Sequence, residues 1–146
     1  MADALSQALR AVTLGEEVAD LASAAQAHEV AARIFLDVGE MAAALEQGLA
    51  ATEAADASGD LAAKVAALRA MTNIYAALRQ WETALEFGER YSETARMLAN
   101  SVDESVALAT VAYVYAAMCA EATDRGDTER PGPGASRASR CRGRPC

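Results

Sequence analysis

The stretch LRAMTNIYAALRQWETALEFGERYSETA, residues 68–95, decides the fold. Its apolar side chains recur three, four and seven residues apart at Met71, Ile74, Tyr75 and Leu78, which is the spacing of one helical face. A second apolar set follows at Ala84, Leu85, Tyr91 and Ala95. Between them Leu78-Arg79-Gln80 is a short turn, so the pair reads as an antiparallel helical hairpin. The small Ala84 lets the two backbones approach, and Trp81 opens the second helix with a large ring for the shared core.

Shifted by 40 residues, the chain matches itself on both sides of this hairpin. Upstream, Ala27, Ile34, Ala44, Leu45, Gly48 and Ala55 stand opposite the identical Ala67, Ile74, Ala84, Leu85, Gly88 and Ala95. Downstream, Ala67, Leu68 and Tyr75 recur as Ala107, Leu108 and Tyr115. Asp20, Asp60 and Asn100 share the period, and each can accept from the free N–H groups of a helix start. Ser101 with Glu104 offers a competing capping box at the third start, and Ser58-Gly59 ends the helix before Asp60. Helices are predicted at 3–18, 21–37, 41–57, 61–78, 81–98 and 101–121. Ala4-Leu5 align with Ala44-Leu45, so the chain starts mid-array, and residues 1–125 read as a half repeat, two full repeats and a half repeat.

Leu68, Tyr75, Trp81 and Ala84, with Asn73-Ile74 and Ala95 around them, resemble the tetratricopeptide repeat over roughly residues 20–118. Gly88 stands where that family usually has an aromatic and Tyr91 where it usually has a small residue, and the period of 40 exceeds the commoner ~34. Such lengthened repeats are similar to those of bacterial regulators and motor light chains. The resemblance implies an all-α fold of antiparallel hairpins stacked as a right-handed solenoid, with a concave groove lined by the first helices. It also implies a protein or peptide partner in that groove, or else a ligand-sensing segment of a larger transcription regulator or signalling ATPase. The family's groove positions fall on Arg33, Arg69, Asn73 and Tyr113, among others. Arg69 and Asn73 resemble part of a carboxylate clamp, but Val106 and Ala109 take the places of its remaining basic residues.

Composition restricts the function further. The net charge is −8, yet Arg130, Arg137, Arg140, Arg142 and Arg144 outweigh Asp127 and Glu129, which leaves residues 127–146 at +3 and residues 1–126 at −11. An acidic body repels nucleic acid and anionic membrane, so neither is an expected partner. No run approaching bilayer length is evident, and a cytoplasmic location is the default expectation. Residues 126–146, with Pro131-Gly132-Pro133-Gly134, read as a disordered tail, and their change of sign equally suits an out-of-frame end.

Catalytic and metal chemistry find no footing in the sequence. Three cysteines form no disulfide framework and their odd count predicts reduced thiols, and with His28 the single histidine no metal site or cofactor is expected. His28 aligns with Leu68 and Leu108 and reads as a partly buried structural side chain. No nucleophile with a base beside it and no glycine-rich phosphate loop appears, so the expectation is a binding module and not an enzyme. Glu29 and Arg33 form an expected i,i+4 pair. Leu108, Val111, Val114, Tyr115 and Met118 lack a second helix to cover them, which predicts self-association through residues 108–118.

Overall fold

The computed structural model describes residues 2–17 and 19–126, and over them the chain is all-helical. The elements are α1 (Ala2–Glu17), α2 (Leu21–Asp37), α3 (Met41–Ser58), α4 (Leu61–Ala77), α5 (Trp81–Met97) and α6 (Ser101–Asp124). Five lie within one residue of their predicted bounds, while α6 runs three residues further than expected. The expected tail, 126–146, lies outside the described residues except for Gly126.

Local chemistry sets the boundaries. Asp20 and Asp60 cap α2 and α4 by accepting from Ser23 N and Ala63 N. Asn100 caps α6 through Val102 N and Asp103 N, so it prevails over the Ser101 capping box. The chain then leaves its helices through left-handed residues that also repeat at 40: Gly39 (φ +84) with Arg79 (+59), and Gly59 (+69) with Ala99 (+56).

Each helix packs on its successor, and α2 also meets α4 as α4 meets α6. The core is built largely from alanines, with Tyr91, Met71, Ile74, Val114 and Thr72 the largest fully buried side chains. Side-chain size is traded across the repeats. A Cβ on Gly48 would come within 2.6 Å of Met71 Sδ, and one on Gly88 within 2.8 Å of Val111 Cγ2. The register-equivalent site on α1 is Ala8, and α2 there carries the small Ala31, both fully buried in one cluster. Gly88 and Tyr91, the two departures from the tetratricopeptide pattern, thus have a packing role. The glycine admits Val111, and Tyr91 fills the space between Leu68, Ala95 and Ala107.

Three expectations need correction. Val114 is fully buried against Ala84 and Leu85 of α5, and Val111, Tyr115 and Met118 pack partly there too, so residues 108–118 are not one open stripe. Of the five residues expected to lack cover, Leu108 is the one that is strongly exposed, at 52%. The previous helix, α5, supplies that cover. Secondly, α6 is long and apolar enough to cross a membrane by length and composition, with a mean hydropathy of 1.4 over its most apolar 18 residues. The charges at 103, 104 and 121 hide in a linear reading that residues 105–120 are uncharged throughout. Thirdly, Cys119 is disulfide-bonded, not a reduced thiol.

Candidate binding surface

Glu29 on α2 is only 6% exposed, and a carboxylate removed from water needs a charged partner. Two arginines supply one. Arg33, one turn along α2, and Arg69 of α4 each hold a guanidinium nitrogen 3.6 Å from Glu29 Oε1. The other terminal nitrogen of Arg69 lies 3.7 Å from Asp103 Oδ1 on α6. Asp103 also accepts from Asn100 Nδ2 at 2.6 Å and from the Tyr91 hydroxyl at 3.1 Å. Alternating charges therefore run across three helices that are far apart in sequence. Burial and the neighbouring Asp103 carboxylate together push the Tyr91 hydroxyl up to about 12.

The four residues singled out from the sequence are placed differently. Arg33, Arg69 and Asn73 surround a small cavity of about 30 Å³, room for roughly one water, with Glu29 at its wall. Arg33 is more than half exposed, and Asn73 is exposed with no hydrogen bond to the described residues. Arg69 is partly covered and committed to two carboxylates, a pairing that the helical register does not reveal. Tyr113 stands apart from the cavity on α6, 64% exposed. His28 is half-buried, as its register suggested, with Nδ1 2.8 Å from Gln47 Oε1 on α3.

Sequence reasoning missed one feature outright and saw a second only in part. One is a lock at the end of α6, where Glu121 accepts from the Trp81 indole N–H and from Arg79 Nη2 at 3.0 Å, with Arg125 2.9 Å away. The Trp81 hydrogen bond, followed by those of the two arginines, holds the Glu121 carboxyl below its ordinary value. Aspartate, glutamate and arginine at the ends of an apolar helix were visible, but their partners lie some 40 residues away. The other is the outward half of α6, where Val102, Val106, Leu108, Ala109, Ala112 and Tyr113 are all exposed and uncharged. By contrast, α5 exposes Glu82, Glu86, Glu89, Arg90, Glu93 and Arg96. A larger open hollow of about 830 Å³ lies along α1 beside Leu5, Leu9 and Leu14, remote from the charged cluster. Its lining is mixed, with Ser6, Arg10, Thr13 and Glu17 beside the leucines. Among the described residues no group of three His, Cys, Asp or Glu could hold a metal ion.

No family model, curated protein or solved structure matches the chain.

Proposed function

We propose that the chain is a protein-interaction module whose tetratricopeptide-like hairpins stack as a right-handed solenoid and receive a peptide or short helix along α2, α4 and α6. Support for the stacking comes from the contacts of α2 with α4 and of α4 with α6, and from turns and caps that recur at 40 residues. One observation carries the binding reading. Along these three helices an exposed guanidinium at Arg33 and a free amide at Asn73 stand to one side, and uncharged Val106 and Tyr113 to the other. A short amphipathic segment with an acidic group would satisfy both, through charge-assisted hydrogen bonds to Arg33 and burial against Tyr113. The charged chain through Glu29, Arg69 and Asp103 would act as the rigid floor between them.

The test is a titration. Peptides selected from a displayed random library on the full chain are measured by isothermal calorimetry against wild type and two variants. Arg33→Ala and Tyr113→Ala are each expected to weaken binding about tenfold, roughly 1.4 kcal/mol. Affinity unchanged in both variants would place the binding surface elsewhere.

A further inference from the structure

The cavity between α2 and α4, about 30 Å³, is more selective in its chemistry than its exposed rim. Leu36 and Ile74 give it an apolar wall, while Glu29, Arg33, Arg69 and Asn73 bring polar groups to it. Glu29 is only 6% exposed, yet its carboxylate makes no hydrogen bond to the described residues. A nitrogen of each guanidinium stands 3.6 Å from Oε1, beyond the length of an N–H···O bond. A carboxylate so removed from water needs a donor at close range, and the Asn73 amide on the same cavity is unengaged too. Whatever completes the site sits in the cavity and donates to Glu29.

Size and charge restrict that group. Arg33 and Arg69 repel a lysine ammonium, and Glu29 repels a carboxylate or a phosphate. A carboxylate, a phosphate and a side-chain amide are also each too large for a space that holds roughly one water. A hydroxyl is neutral and the size of water, and one oxygen both donates and accepts. We propose that the cavity takes a serine or threonine hydroxyl of the partner segment, which donates to Glu29 and accepts from the Asn73 amide. The acidic group of the same segment stays on the outward side of Arg33, whose side chain is 55% exposed. The proposal deepens the reading of α2, α4 and α6 as the binding face and rests on it. Phosphorylation of that hydroxyl ends binding, because the phosphate neither fits the cavity nor tolerates Glu29.

Peptides selected on the full chain from a displayed random library are the probe. The pool is expected to carry serine or threonine beside aspartate or glutamate. In the tightest peptide, alanine in place of that residue should weaken binding about tenfold, and its phosphorylated form about a hundredfold. Asn73→Ala should shrink the alanine penalty to about threefold. Glu29→Gln, which keeps the shape and removes the charge, should let aspartate replace the hydroxyl residue without loss. Circular dichroism of both variants should remain that of wild type. A pool without a hydroxyl preference, or an alanine penalty unchanged by Asn73→Ala, would show a resident water only and overturn the proposal. The binding face would survive that result if Arg33→Ala still weakened affinity. No binder at all, or unchanged affinity in both Arg33→Ala and Tyr113→Ala, would remove the face itself and the hydroxyl site with it.

Discussion

Ala99 occupies φ +56, where Gly59 one repeat earlier has +69. A Cβ in this left-handed region crowds the following carbonyl at a cost of about 1–2 kcal/mol, which glycine avoids. Ala99→Gly is therefore expected to raise stability by about 1 kcal/mol in urea unfolding, and no gain would mean that the turn tolerates its Cβ. Arg79 bears the same strain at +59, but its side chain also holds Glu121, so the substitution there would be ambiguous. Ion pairing separates Arg69 from Asn73. Arg69→Ala leaves the buried Glu29 with Arg33 alone and is expected to cost about 2 kcal/mol, while Asn73→Ala stays within about 0.5 kcal/mol. Equal effects in chemical denaturation would contradict the bridging role of Arg69. That both residues face one side was legible from their spacing. That Arg69 reaches Glu29 and Asp103 was not, because local periodicity does not pair residues 40 and 34 positions apart.

The contact of α5 with α6 depends on a missing methyl group. Val111 is β-branched and cannot swing clear of a Cβ on Gly88, so Gly88→Ala is expected to lose about 1 kcal/mol net of its gain in helix propensity. In a Val111→Ala background, which reproduces the Ala8 and Ala31 arrangement of α1 and α2, the same change should become stabilising by about 1 kcal/mol. A double-mutant cycle showing additivity would refute the size trade. At the far end of α6, the folded carboxyl of Glu121 titrates below its ordinary value of 4.5. Its contribution is thus present above that value and is lost as pH falls through the lowered folded one. The single tryptophan, Trp81, donates to this carboxylate, so its fluorescence should change in acid below about pH 4.5, and Glu121→Gln should remove that change. Tyr91 has the opposite sense. Its folded value of about 12 exceeds the ordinary 10.0, so its stabilisation holds below 10 and is lost as pH rises towards 12. Helix positions and caps were readable because Asp20, Asp60 and Asn100 recur at one spacing, but the lock at Glu121 lies beyond the last matching repeat.

Across the whole molecule, the repeat that organises the core also leaves its ends different from its middle. The periodic pattern tells which residues of α6 belong to a packing face. It does not tell which of those positions stays wet: Val114 is buried like Ile74, its counterpart on α4, while Leu108 is exposed where Leu68 is buried. The candidate surface was partly legible for the same reason: Arg33, Asn73 and Tyr113 fall on exposed sides of α2, α4 and α6, but only the folded chain joins the first two around a common cavity. The claim that these three helices form the binding face is tested most directly by NMR. Isotope-labelled full chain is titrated with the tightest selected peptide, and the amide shift changes are mapped. The account predicts that they concentrate around Arg33, Asn73, Val106 and Tyr113; changes confined to α1, α3 and α5 would contradict it.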